Sequence, residues 1–232
     1  MTNTHKFAPL LGKRIRVTQM NDDGTVGAHF IATDGFITVT LSAQVEDGTE
    51  IITRNAFGQL CINEKMNPTF KRLDIEIEFC GVNPSLLSYV SNAVEYEDYA
   101  GDVAGFTIPE GEIVGQYALE VWTGLSGALN DTHANGYMLL PYAGKGNIDD
   151  IKVDGEDAID FNLTGSSTRG GNQWGIGPYD VVMNGVTDDS GAEDSGGVAA
   201  PLPTALDPFD HFLLIDTAVA APVVDEQPVA VP

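Results

Sequence analysis

This 232-residue chain is poor in cysteine and in positive charge. Its two cysteines, Cys61 and Cys80, are too few for a disulfide scaffold and lack the spacing of a metal site. Both stand in apolar-alternating stretches, which predicts buried free thiols. The 11 basic residues face 34 acidic ones, leaving a net charge of −23. A surface that negative repels nucleic-acid phosphates, because binding them depends on Lys and Arg displacing counterions. No apolar run approaches the ~20 residues that a membrane-spanning helix needs, so no membrane partner is expected. Met1-Thr2-Asn3-Thr4-His5-Lys6 leads into no sustained apolar stretch. The chain therefore reads as made in the cytoplasm, leaving it only as part of a particle.

Signatures of chemistry are also scarce. His5, His29, His133 and His211 are scattered, with no i,i+4 pair and no flanking cysteines. Asp150-Ile-Lys-Val-Asp-Gly-Glu-Asp157 contains an Asp-Gly turn but not the alternating oxygen ligands of a calcium loop. Asp188, Asp189, Glu193 and Asp194 form only a loose acidic patch. Gly144-Lys-Gly146 lacks the rest of a phosphate loop, and Gly175-Ile-Gly177-Pro-Tyr lacks a third glycine and a following helix. There is no Gly-x-Ser-x-Gly elbow. We expect no catalytic residues, no cofactor and no metal, and read the chain as a non-enzyme.

What the sequence has in quantity is period-two alternation. In Ile37-Thr-Val-Thr-Leu-Ser-Ala-Gln-Val45 the odd positions are apolar and Thr38, Thr40, Ser42 and Gln44 are polar. In Leu73-Asp-Ile-Glu-Ile-Glu-Phe79 the polar face is Asp74, Glu76 and Glu78. One side of each strand suits a core and the other suits water. Further strands are expected at 14–19, 50–55, 58–63, 117–123, 136–142, 148–153, 158–164, 179–183 and 211–218. Asp-Gly at 34–35, 47–48 and 154–155, and Asn-Gly at 135–136, supply turn chemistry. One segment differs: Asn83-Pro-Ser-Leu-Leu-Ser-Tyr-Val-Ser-Asn92 has a capping Asn, Pro at the first helical position, and Leu86, Leu87 and Val90 to pack on a sheet. Residues 92–112 and 187–200 read as acidic loops. Residues 217–232, rich in Pro, Val and Ala, read as an extended C-terminal arm held by a neighbouring subunit.

Several strings, taken in order, resemble the major tail (tail-tube) proteins of long-tailed bacteriophages, those of actinobacteriophages in particular. They are Leu73-Asp-Ile-Glu-Ile-Glu-Phe-Cys-Gly-Val-Asn-Pro-Ser-Leu-Leu-Ser88, Tyr117-Ala-Leu-Glu-Val-Trp-Thr123 and Gly136-Tyr-Met-Leu-Leu-Pro-Tyr142. Phe161-Asn-Leu-Thr-Gly-Ser-Ser-Thr168, Trp174-Gly-Ile-Gly-Pro-Tyr-Asp180, Pro201-Leu-Pro-Thr204 and His211-Phe-Leu-Leu-Ile215 follow. The resemblance runs from about residue 36 to 216 and rests on their succession, since no single string is diagnostic.

The resemblance implies a mainly β fold: a two-sheet β-sandwich or partial barrel with one short helix, over residues 1–216, followed by the arm at 217–232. It implies a virion tail protein that forms stacked hexameric rings, each subunit giving about four strands to a continuous inner β-barrel. About 24 strands spaced ~4.8 Å and tilted ~40° make a barrel roughly 48 Å across, with a bore of roughly 38 Å inside the side chains. Thr38, Thr40, Ser42, Gln44, Asp74, Glu76 and Glu78 would then line a polar, negative lumen through which double-stranded DNA passes without specific binding. Residues 46–49, 64–70 and 92–112 and the arm would bridge neighbouring rings or subunits. Tape-measure and tail-terminator proteins would be further partners. Two readings compete: a capsid decoration or head–tail connector protein, and a carbohydrate-binding β-sandwich using Trp122, Trp174, Tyr137, Tyr142 and Tyr179 as a stacking platform.

Overall fold

A computed structural model describes residues 9–113, 115–125, 135–152, 160–168, 174–185 and 197–228. The described residues are mainly β with one short helix. In order, the elements are β1 (Pro9–Met20), β2 (Val26–Thr33), β3 (Phe36–Glu46), β4 (Glu50–Arg54), β5 (Leu60–Lys65), β6 (Thr69–Phe79), α1 (Pro84–Val90), β7 (Val94–Glu97) and β8 (Val103–Thr107). Then come β9 (Gln116–Leu125), β10 (Asn135–Lys152), β11 (Asp160–Ser167), β12 (Val182–Asn184), β13 (Val198–Ala200), β14 (Leu213–Thr217) and β15 (Asp225–Pro228).

Nine strands form one open sheet in the order β15-β2-β1-β9-β10-β11-β6-β3, with β14 also on β10; β4–β5, β7–β8 and β12–β13 are separate two-stranded pairs. None of these sheets closes on itself. Alternation explains which faces are buried. Ile75, Ile77 and Phe79 of β6 join Ile15 and Val17 of β1, Ile31 of β2 and Leu119 of β9 in one apolar cluster. Strands from both ends of the sheet thus share a core.

Helix α1 plugs that core. Asn83 caps it by accepting from the Ser85 N–H at 2.9 Å, and Pro84 opens it with the φ that a first turn needs. Leu86, Leu87 and Val90 are buried in the cluster. The helix stops after seven residues, where the Ser91 hydroxyl and N–H both donate to the Leu87 carbonyl. Its end then presses on β10: a Cβ at Gly146 would lie 1.6 Å from the Val90 carbonyl oxygen, so only glycine fits there.

Several expectations need correction. The expected strands 136–142 and 148–153 are one strand, β10, irregular between Leu140 and Ala143, Gly144 and Asn147, and Ile148 and Asp150. Asn135-Gly136 opens that strand instead of making a turn: Asn135 receives a hydrogen bond from Lys13 Nζ and donates one to the Val219 carbonyl, and Gly136 pairs with Thr123 and Asp216. The acidic segment 92–112 contains the β7–β8 hairpin. Cys61 and Cys80 are exposed, because no described residue covers β5 and because Cys80 lies just beyond β6. Ile37 and Val45 are exposed as well; register shifts beside each end of β3 take them out of the face that holds Val39 and Leu41. The 154–155 turn, Asp188, Asp189, Glu193, Asp194, His5 and His133 lie outside the described residues. No described helix is long and apolar enough to cross a membrane.

Candidate functional site

The side of the β3-β6-β11 region facing away from the core is a continuous polar surface. Antiparallel register sets its rows, since directly paired residues share a face. Thr38 pairs with Glu78, Thr40 with Glu76, Ser42 with Asp74 and Gln44 with Arg72. On the other side of β6, Glu78 pairs with Asn162, Glu76 with Thr164 and Asp74 with Ser166. One strand further, Thr164 pairs with Asn147 and Asn162 with Asp150 on β10. Thr38, Thr40, Ser42, Gln44 and Glu76 are exposed, while Asp74 and Glu78 are half-buried.

The face is pinned by its own hydrogen bonds. The Thr38 hydroxyl donates to Glu78 at 3.3 Å and the Asn162 amide donates to Glu76 at 3.0 Å. Arg72 stands on the same face and donates to Asp74 at 2.8 Å, so this surface is not wholly free of positive charge. Thr40, Ser42, Asp74, Glu76, Thr164 and Ser166 line an open trough of about 330 Å³ across the middle. Three close carboxylates on one strand make its potential negative.

Sequence reading placed four residues of β3 and three of β6 on this face and missed Asn162, Thr164, Ser166, Asn147, Asp150 and Arg72. The signal was present in Phe161-Asn-Leu-Thr-Gly-Ser-Ser, but Gly165 interrupts its apolar period, and the irregularities in β10 break the period there.

Both lateral borders of the face lack a partner among the described strands. The outer side of β3 pairs with nothing, and β10 beyond Gly144 has β11 on one side only. From the far ends of β3 and β6 projects the β4–β5 ribbon. Its apolar residues Ile51, Ile52, Phe57, Leu60 and Ile62 are all exposed. Gly48 sets its angle: a Cβ there would come 1.7 Å from the Met66 carbonyl oxygen. The ribbon and its roots are close to neutral, with Glu46, Asp47, Glu50 and Glu64 against Arg54, Lys65, Lys71 and Arg72. The charge of −23 therefore sits elsewhere.

The opposite face of β1-β9-β10 carries a buried ion pair. Arg16 pairs with Glu120 across β1 and β9, donating from Nε at 2.5 Å and from Nη2 at 2.6 Å. The Tyr137 hydroxyl donates to the same carboxylate at 2.7 Å. Above the guanidinium lie the Tyr179 ring, 3.3 Å from centroid to Cζ, and those of Trp122 and Phe30 at 4.9 and 5.5 Å. Burial alone would lower the Arg16 pKa, but the Glu120 carboxylate outweighs it and the net shift is upward. Burial first, and then the Glu120 charge, push the Tyr137 hydroxyl well above its ordinary value. Glu120 amid the apolar Tyr117–Thr123 string, and Arg16 within Arg-Ile-Arg-Val, were the available signals.

This geometry bears on the stacking-platform idea. Trp122, Tyr137, Tyr142 and Trp174 are buried in one cluster together with Val181 and Leu202, and Tyr179 packs against it. They do not form an open platform. His211 hydrogen-bonds Ser167 at 2.8 Å and stacks edge-on against Phe70. Among the described residues no group of three or more His, Cys, Asp or Glu side chains could hold a metal ion. No protein-family profile and no curated protein matches this chain.

Proposed function

We propose that this chain is the structural subunit of a bacteriophage tail tube, a two-sheet β-sandwich whose copies join edge to edge into roughly hexameric rings that stack around a DNA-conducting lumen. The observation that carries the reading is the four-stranded polar face β10-β11-β6-β3 with an unpartnered edge at each side. All its internal pairings are antiparallel, and the strand number is even, so β3 and β10 run in opposite directions. The β3 of a copy rotated about a ring axis would therefore meet β10 antiparallel, and the join could repeat until the ring closes. Closure removes both exposed edges at once. With about six copies this gives the barrel roughly 48 Å across derived above.

In that arrangement Thr38, Thr40, Ser42, Gln44, Asp74, Glu76 and Glu78 face the lumen, joined by Asn162, Thr164, Ser166, Asn147 and Asp150. Phosphates would slide past carboxylates and hydroxyls, and Arg72 is already bound to Asp74. The neutral, apolar β4–β5 ribbon is suited to lie against the next ring, since it can approach another acidic copy without repulsion. The tape-measure and tail-terminator proteins would then be partners at the lumen and at the end of the tube.

Negative-stain microscopy of the purified protein tests this: stacked hollow rings are the expected result, and monomers under all conditions would refute it. Trimers or rings that do not stack would favour a decoration or connector protein. The lumen assignment has its own test. A cysteine at Glu76, with Cys61 and Cys80 changed to Ser, should react with a label too bulky for the bore in the free subunit and not in the assembled tube. Equal reactivity in both states rules out the lumen.

A further inference from the structure

The far border of the sheet is treated differently from the β3 border. There, β2 is paired with β1 on its inner side and with the last described strand of the chain, β15, on its outer side. The register is Asp225 with Ala32, Glu226 with Ile31, Gln227 with Phe30 and Pro228 with His29. The two strands contrast in composition. Val26-Gly-Ala-His-Phe-Ile-Ala-Thr33 contains no Asp, Glu, Lys, Arg or Pro in a chain of net charge −23. It is the kind of strand that pairs with other chains when its edge is open. Asp225-Glu-Gln-Pro228 has two carboxylates and a proline, the residues that end strand pairing.

The connection between β14 and β15 is tied to its own subunit. The Val219 N–H donates to the Thr217 hydroxyl at 3.0 Å. The Val219 carbonyl accepts from Asn135 at 3.0 Å and the Pro222 carbonyl from Arg14 at 3.1 Å. These bonds deliver β15 to the β2 of the same chain, with no neighbouring subunit needed to hold it.

We infer that β15 is a built-in cap, and that the β2 edge it covers is a latent pairing site for the β2 edge of a second copy. Two such edges can meet antiparallel about a twofold axis, each residue finding the same strand opposite. Neither strand brings charge to the join, so the pairing edges themselves do not repel. With the cap in place the outermost strand is acidic and ends in proline. Self-association is thereby confined to the other end of the sheet. The cap does not depend on the ring reading, although in a ring it would prevent joining at the wrong edge.

Two variants test it: a chain ending at Val224, and the full-length double substitution E226P/Q227P, which keeps the arm but removes the N–H of whichever of these two neighbours faces β2. Sedimentation velocity over a wide concentration series reads self-association, and hydrogen exchange reads those amides of residues 28–32 that face β15, with those that face β1 as the internal control. Both variants should lose about tenfold or more of the exchange protection at low concentration. Both should form dimers at high concentration that a synthetic peptide of residues 223–232 dissolves. If the truncated chain does not fold, the proline variant, checked by circular dichroism, decides. Unchanged protection and unchanged association in the folded variants overturn the proposal, as do dimers that the peptide leaves intact. Absence of rings from the full chain, with capping behaving as stated, would sink the ring reading alone.

Discussion

Glu120→Leu should be among the most damaging single substitutions in the chain, and Arg16→Met should largely rescue it. Glu120 is fully buried, and its carboxylate takes two hydrogen bonds from Arg16 and one from Tyr137. Removing it strands a guanidinium that is itself only 6% exposed. Breaking a buried pair from one side costs about 3–5 kcal/mol, because the surviving charge is left desolvated without compensation. Contacts with Tyr179, Trp122 and Phe30 return only part of that, on the order of 1–2 kcal/mol. In the double variant no charge is left to bury, and apolar side chains of similar length occupy the same space. Its net loss should be under about 2 kcal/mol; since Arg16→Met alone also strands a buried charge at a cost of about 3–5 kcal/mol, the coupling between the two sites should be at least about 3 kcal/mol. Urea unfolding followed by fluorescence is well placed to see this, since Trp122 and Trp174 belong to the cluster around the pair. With an m-value of about 2–3 kcal/mol/M, the single substitution should lower the midpoint by about 1–2 M. Additive single effects, or a loss below about 1 kcal/mol for Glu120→Leu, would refute the claim that the pair is desolvated.

Two further outcomes follow from the core. Burial raises the pKa of Tyr117, and burial followed by the Glu120 charge raises those of Tyr137 and Tyr179. Each is therefore neutral in the folded state at a pH where the unfolded chain, titrating near pH ~10, has released its proton. Their contribution should be complete below about pH 10 and fall as pH rises further, so urea midpoints should drop there together with a cooperative rise in tyrosinate absorbance. Gly146→Ala should cost about 3 kcal/mol or more, since its Cβ would overlap the Val90 carbonyl, whereas Gly105→Ala, with open space around it, should stay within about 0.5 kcal/mol in the same unfolding assay.

Much of the architecture is legible in the sequence where one face is wet and the other dry. β6 and β3 declare their polar faces because each has a single core to serve, and α1 declares itself through Asn83, Pro84 and the spacing of Leu86, Leu87 and Val90. Legibility fails where a strand has other tasks. β10 packs against different neighbours along its length and is irregular at three places, so its alternation dissolves and it reads as two strands. β4 and β5 alternate well enough to be recognised as strands, but a local pattern cannot reveal that no second layer covers them. The same blindness misplaces Cys61. Glu120 and Arg16 look like misplaced charges one at a time and make sense only once β1 and β9 are paired.

The long strand β10 also has a mechanical consequence. Its first half is clamped between β9 and β14 and its second half is bonded to β11, so the aromatic cluster and the polar face hang on one backbone. A pull along its second half loads the ladders on both halves lengthwise. Their hydrogen bonds would have to shear together, whereas the β4–β5 ribbon, paired with no other described strand, would unzip one pair at a time. The same chain thus combines a stiff beam, able to carry load across the sheet from the aromatic cluster to the polar face, with a compliant finger.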